Sequence, residues 1–534
     1  MLLTAIWVKM TNFGRMILAI LCLIIAVPAL AAPIARTDAQ LSAAIDCKTL
    51  LAIDFTRDAE APLALTGAAI VPPAAGTPEF CAITGYVAPQ VQFELRLPTK
   101  SWNGRYFQVG CGGFCGMIAI QNCGDVLAKD FAVAASNMGH VGNFLKEPLW
   151  GADPTARRDF GVRSTHVTAL AAKRILAAYY GATPRFSYFR GCSTGGRQGL
   201  SEAQHYPGDF DGIVAGDPAF AGRLGAIANV WDAQHLFGPG NVSVFTKPAL
   251  ALLHRAVIAA CDGVDGVKDG ILSNPRACRF DVATLTCTPG RSECLTATQV
   301  AAAKAVYDGP RDSKGKRLAP GGALFGSEAL WGGEDTWTLP EGSLRYLMFG
   351  QNPPFDYSYR SFDFDRDPAR VKEQVALYDP VAPGEAPNLA AFHARGGKLV
   401  VYHGWADQGV SPLATLDYYG QVASALGGMA RIRDWFRLFM VPGMHHCRGG
   451  DAPNTFNFMP SVMAWVEHGM APDAVVATQR EGGKVVRTRP LMAYPEVAAF
   501  NGNGDVNQAA NWHSAMAAAM PDDRIAWNWG PTVR

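Results

Sequence analysis

Residues 185–210 read RFSYFRGCSTGGRQGLSEAQHYPGDF. The part up to Arg190 is aromatic and extended in character, and the part after Ser193 reads as a helix that stops at Pro207. Between them stands Gly191-Cys192-Ser193-Thr194-Gly195, a Gly-x-Ser-x-Gly frame. Strand, sharp serine-bearing turn and helix together make the nucleophile elbow of an α/β-hydrolase. Glycines flank the serine because the turn needs strained dihedrals and the helix packs closely against the strand. A serine hydroxyl is a weak nucleophile at neutral pH, so the elbow requires a base and a carboxylate that orients the base. On this fold the chain order is Ser, then Asp or Glu, then His.

The C-terminal third supplies both partners. Residues 396–412, GGKLVVYHGWADQGVSP, contain a buried-strand run from Lys398 to Tyr402 leading into a loop with Asp407. Residues 437–450, RLFMVPGMHHCRGG, repeat the design with an apolar strand, a Pro-Gly turn, and then His445 and His446. Each candidate lies just beyond the carboxyl end of a strand, where the catalytic groups of open α/β sheets collect. Spacing alone leaves both histidines open as the base. Cys447 follows His446 as Cys192 precedes Ser193. A bridge between them would hold their Cα atoms about 4.4–6.8 Å apart, a separation compatible with a Ser–His hydrogen bond alongside.

An acyl-transfer site also needs two aimed N–H groups for its oxyanion. The residue after the nucleophile, Thr194, is one donor expected on this fold. The other belongs to an early Gly-rich loop after a strand, and residues 103–116, NGRYFQVGCGGFCG, fit that description. Gly112 is the expected donor, with Gly113 next in line.

The 534-residue chain exceeds what one core normally fills, so an insertion or second domain is expected. Its formal net charge of +1 gives no support to nucleic acid or an anionic membrane as a partner. Lys9 and Arg15 precede an apolar run from Met16 that ends in Ala29-Leu30-Ala31, the pattern of a secretory signal peptide over residues 1–31. Export to the periplasm or medium, with no membrane association after cleavage, follows from that reading. Of the 12 cysteines, Cys22 would leave with the signal, and an odd number would remain in an oxidising compartment. Local spacing pairs Cys47 with Cys81, Cys261 with Cys278 and Cys287 with Cys294. The pairing among Cys111, Cys115 and Cys123 stays open, as does any oligomeric state.

Residues 261–275, CDGVDGVKDGILSNP, place Asp262, Asp265 and Asp269 on a compact glycine-rich loop. Three hard carboxylates so close together suit a structural Ca²⁺, though the spacing is not that of an EF-hand.

The motifs GCSTGG, HGWAD and GMHHC, taken together, are far more specific than the serine frame alone. With them the chain resembles the tannase and feruloyl esterase family, which includes terephthalate monoester hydrolases, from Cys47 to the C-terminal region. The resemblance implies Ser193 as nucleophile, His446 as general base and acid, Asp407 as its orienter, and a Cys192–Cys447 bridge. It implies calcium held by Asp262, Asp265 and Asp269 with the carbonyls of Val267 and Ile271. It also implies a catalytic α/β-hydrolase core over 32–220 and 395–534, interrupted by a lid over 221–394 that carries the calcium loop. Trp331, Trp337, Arg345, Phe349 and Phe355 are the lid side chains considered for contact with the acyl group. Two departures bear on substrate. Thr194 stands where the terephthalate monoester hydrolase type has glutamate, and Val410 where it has a substrate-stacking phenylalanine. The expected substrates are small aromatic esters: hydroxycinnamoyl (feruloyl) first, galloyl second and terephthalate monoesters third. A serine peptidase and a non-catalytic binder of phenolics are the rival readings.

Overall fold

Hydrophobic residues alternate along the central strands, and that alternation builds the protein. The computed structural model describes residues 40–518 and 520, except 75, 147, 220–221, 320, 355, 372–376 and 379–386. The predicted signal segment and Phe355 lie outside the described residues.

Nine strands form one sheet: β1 (Leu63–Val71), β2 (Phe80–Val87), β3 (Val91–Pro98), β4 (Arg105–Val109), β5 (Ala132–Ser136), β6 (Phe186–Cys192), β7 (Gly212–Gly216), β8 (Lys398–Gly404) and β9 (Phe436–Val441). Their spatial order is β1-β2-β3-β5-β4-β6-β7-β8-β9. Strands β4 to β9 run parallel to their neighbours, whereas β1, β2 and β3 add antiparallel partners at one edge.

A parallel strand buried on both faces shows an apolar side chain to each layer in turn. Phe189, Ile213, Val401 and Leu438 point into one core, where they meet Ile175 and Leu176 of α1 (Ser164–Tyr180). Their neighbours Tyr188, Val214, Val400 and Phe439 point into the opposite core. The topology is that of an α/β-hydrolase, with α2 (Thr194–His205) following β6 directly.

Among the described residues, the chain between β7 and β8 adds no strand to this sheet. Its described part includes α3 (Gly222–Leu236), α4 (Lys247–Cys261), α5 (Ala297–Asp308) and α6 (Asp335–Tyr346). It packs a core of its own in which Leu253, Val257, Leu295, Val306 and Trp331 are buried. Two more helices, α7 (Pro412–Ala425) and α8 (Met459–His468), belong to the C-terminal segment. No helix of the described residues is long and apolar enough to cross a membrane.

Among the described residues five disulfides are present: Cys47–Cys81, Cys111–Cys115, Cys192–Cys447, Cys261–Cys278 and Cys287–Cys294. Cys123 is a buried free thiol, its pKa raised by burial.

The elbow depends on close backbone approach. A Cβ at Gly196, in the first turn of α2, would lie 2.2 Å from the carbonyl oxygen of Gly216 and 2.9 Å from Cα of Pro218. Backbone atoms cannot yield as a flexible side chain does. Gly196→Ala is therefore expected to lower stability by roughly 1–3 kcal/mol, the cost of overpacking. Gly420→Ala in α7 meets nothing within 4 Å and is expected to raise it by about 0.5–1 kcal/mol. Chemical denaturation of the two variants beside wild type checks both signs.

Candidate active site

Ser193 closes β6 in a conformation that few non-glycine residues adopt, with φ 62° and ψ −121°. The strain is held by hydrogen bonds on both sides of the turn. Its N–H donates to the carbonyl of Gly216 at 2.9 Å, and its own carbonyl accepts from the N–H of Arg197 at 3.0 Å and of Ala219 at 3.1 Å. Such an outlier, fixed by the surrounding backbone, is how functional turns keep a side chain raised above a sheet.

Ser193 and His446 line the same cavity, of about 220 Å³. Behind His446 the carboxylate of Asp407 is buried. The Nδ1–H of His446 donates to Asp407 Oδ2 at 2.6 Å, which leaves Nε2 as the other ring nitrogen available for chemistry. The second carboxylate oxygen accepts from the N–H groups of Gly409 and Val410, each at 2.8 Å. Burial alone would raise the Asp407 pKa, but the His446 charge and the hydrogen bonds from His403 and His446 hold it well below the usual range. Burial pulls His446 the other way, and the adjoining Asp407 charge outweighs it, raising the imidazole to about 9. Of the two histidines left open by spacing, His446 is the one that meets Asp407. The His445 side chain instead leaves a buried Nε2 with no hydrogen-bond partner among the described residues, and burial lowers its pKa.

The cystine Cys192–Cys447 joins the residue before Ser193 to the residue after His446, with Cα atoms 6.1 Å apart. Cys447, like Ser193, holds a positive φ, here 64°.

Thr194 begins α2, so its N–H has no acceptor within the helix. Its hydroxyl donates to the carbonyl of Gly113 at 2.8 Å, which latches the glycine loop onto the elbow. The sequence singles out Gly112, but it is Gly113 that lines the cavity with Thr194, and Gly112 does not. The loop turns back at this point. Gly113 has φ 55°, and a Cβ there would sit 2.0 Å from the carbonyl oxygen of Phe144, while the Gly112 carbonyl accepts from the N–H of Cys115 at 3.0 Å.

Two residues that the sequence reading did not single out complete the base of the site. His403, fully buried, places Nε2 3.2 Å from Asp407 Oδ2 and 3.1 Å from the carbonyl of Val410. Both partners are acceptors, so Nε2 carries a proton, and Nδ1 faces the hydroxyl of Thr415 at 2.7 Å. Asp217, also fully buried, accepts from the N–H of Gly404 at 2.9 Å, and its Oδ2 lies 3.4 Å from the Cys192 sulfur. Burial and the neighbouring Asp407 charge raise its pKa, against the opposing pull of His403 and His446. One signal for both was visible: each lies beside the carboxyl end of a sheet strand, His403 in β8 and Asp217 just after β7.

None of Trp331, Trp337, Arg345 and Phe349 lines the cavity. Trp331 is core of the inserted segment, and Arg345 is held by Glu341 and the carbonyl of Tyr357. Val410 does line it.

On the loop after α4, Asp262 Oδ1 accepts from the N–H groups of Asp269, Gly270 and Ile271 at 3.1, 2.8 and 3.2 Å. Asp265 and Asp269 also accept from the loop's own backbone. Burial raises the pKa of Asp265, and the nearby Asp269 charge adds to the shift. The guanidinium of Arg489 meets Asp269 Oδ2 and offsets part of that charge.

A family model for tannase and feruloyl esterase matches residues 76–515. This chain belongs to the tannase and feruloyl esterase family. It is 33% identical over 524 residues to the mono(2-hydroxyethyl) terephthalate hydrolase of Piscinibacter sakaiensis, covering 83% of this chain and 86% of that protein. It is 31% identical to a probable feruloyl esterase B-2 of Aspergillus flavus, over 76% of this chain and 80% of that one. Among solved structures, feruloyl esterase B from Aspergillus oryzae is similar with a TM-score of 0.77 at 25% identity, covering 88% of this chain and all (100%) of that one. The protein is a carboxylic ester hydrolase.

In this esterase another histidine, His254, ties the inserted segment to the loop that carries His446. His254 of α4 bonds Glu328 through Nδ1 and Asp451 through Nε2, each at 2.8 Å. Burial would lower the His254 pKa, but Asp451 and Glu328 together raise it to about 10. A raised histidine stabilises the fold fully below its unfolded value near 6.5, and the contribution disappears as pH rises through about 10. Asp451→Asn is expected to lower the melting temperature by about 2 °C at pH 6, with the gap to wild type closing by pH 10.5. Thermal melts across that range check the sign.

Proposed function

We propose that this chain is an exported serine esterase that hydrolyses esters of hydroxylated aromatic acids, feruloyl esters ahead of galloyl esters. The observation that carries the reading is the cavity shared by Ser193 and His446, with Asp407 buried behind the histidine. Relatives named as feruloyl esterases and as a terephthalate monoester hydrolase support the aromatic acyl class. The apolar N-terminal run and the five disulfides support export.

In this mechanism His446 Nε2 takes the proton of Ser193 as Oγ attacks the ester carbonyl. The Nδ1–H bond to Asp407 fixes the ring and stabilises the imidazolium that forms. The backbone N–H groups of Thr194 and of the Gly112–Gly113 loop receive the oxyanion, an arrangement that supplies several kcal/mol on other acyl-transfer enzymes. His446 then protonates the departing alcohol. Water, deprotonated by the same nitrogen, releases the aromatic acid and restores Ser193.

The loop of Asp262, Asp265 and Asp269, with the carbonyls of Val267 and Ile271, fits a structural Ca²⁺. The ion would brace the loop, and the reaction needs no step through it. Chelation is expected to lower the melting temperature by several degrees and added Ca²⁺ to restore it. An unchanged melt with no calcium by elemental analysis would remove the ion.

Initial rates on methyl ferulate, methyl gallate and mono(2-hydroxyethyl) terephthalate test the esterase reading. Wild type is expected to turn over the first two, and Ser193→Ala none. Because His446 must be neutral to act as base, kcat/KM should rise with pH toward an inflection near 9. Asp407→Asn removes the charge that retains the proton. Its inflection should move down toward the ordinary histidine value, with kcat lowered about 10⁴-fold.

A further inference from the structure

The helix α3 lays Gly225, Ala228, Asn229 and Asp232 along the cavity wall. Their spacing of three, one and three places them on one face of the helix. The first two are too small to fill space, so the stripe opens the cavity and ends in a carboxyl group. Asp232 has no hydrogen bond or ion pair among the described residues, and burial alone pushes its pKa up to about 8. It is therefore protonated at neutral pH and offers a donor and an acceptor together.

Besides Asp232, the described lining residues include one other acidic side chain. Asp335, in the first turn of α6, lines the same cavity. Among the described lining residues Arg197 is the one lysine or arginine, and it is already committed. Its guanidinium donates to the carbonyls of Phe160, Gly161 and Tyr378 at 2.9–3.1 Å and lies over the Phe160 ring at 4.8 Å. Apart from His446, which belongs to the reacting centre, no cationic side chain described on the wall is uncommitted, and a buried carboxylate without a cation is costly. The Tyr378 hydroxyl and Gln408 Oε1, on two further lining residues, are buried without hydrogen-bond partners among the described residues.

We infer that Asp232 is a specificity residue that hydrogen-bonds a neutral hydroxyl on the aromatic acyl group, and that this cavity selects against acyl groups bearing a free carboxylate. The inference rests on the esterase reading and narrows it. It separates this chain from hydrolysis of a terephthalate monoester, whose acyl group ends in a carboxylate.

The test uses methyl cinnamate, methyl 4-hydroxycinnamate and methyl 4-carboxycinnamate with wild type, Asp232→Leu and Asp232→Asn. Wild type is expected to favour the hydroxylated over the unsubstituted ester about tenfold in kcat/KM, the worth of one good hydrogen bond, and to use the carboxylate ester least. Asp232→Leu should bring the hydroxyl preference to within about twofold, through KM rather than kcat. Asp232→Asn, still neutral and hydrogen-bonding, should keep most of it. An equal loss on all three esters in Asp232→Leu, a preference that survives it, or a wild type that favours the carboxylate ester would overturn the inference. Calorimetric binding of the three esters to Ser193→Ala, with and without Asp232→Leu, reads the same preference without turnover. Failure of the esterase reading, seen as no hydrolysis, is thereby separated from failure at Asp232.

Discussion

The cystine between Cys192 and Cys447 is the constraint around which the site is arranged. It fastens two strained turns, each a non-glycine residue at positive φ, that are far apart in the sequence. Ser193 stays in place because Gly216, Arg197 and Ala219 bond its backbone, and the His446 loop because Asp407 grips the ring. A covalent link across 255 residues of sequence lets the two hold each other, and loop closure of that length removes much conformational freedom from the unfolded chain.

Below the bridge lies a stack of buried ionisable groups: Asp217 against the cystine sulfur, His403 against Asp407, and Asp407 against His446. Burying one carboxylate is costly unless it is paired, and Asp407 has four partners. The energetic consequence is a division of labour between two acids. Asp407 keeps its charge because donors surround it, whereas Asp217, with that charge nearby, is shifted toward its neutral form. His403 Nε2–H and His446 Nδ1–H both donate to the same oxygen of Asp407, which holds that oxygen against His446.

Much of this was legible in the residues. The serine frame, the strand-loop pairs around Asp407 and His446, and the alternation that buries both faces of β6 to β9 are local patterns, and local patterns survive into structure. The short-range cysteine pairs were legible because short loops leave few alternatives. What escaped depends on distant contact. Gly112 and Gly113 look alike in sequence, and only the position of Phe144 decides which of them turns. His403 reads as one more residue of an apolar strand until Thr415 and Val410 are brought beside it. Asp217 offers no spacing clue, since its neighbours come from β8 and from the bridge. The aromatic residues of the inserted segment drew attention by chemical character, and Trp331 proved to be packing. The small residues of α3 give the cavity its room.

The position of the insertion has a consequence for the order of biosynthesis. Ser193 closes β6 and His446 follows β9, with the whole segment between β7 and β8 intervening. Ribosomes deliver Ser193 long before His446, and Cys192 waits for Cys447 across 255 residues of sequence. A half-made molecule therefore has a serine without a proton acceptor, and a cysteine beside it that no partner has yet claimed. The cavity that Ser193 shares with His446 is complete only once β9 and the loop after it have joined the sheet.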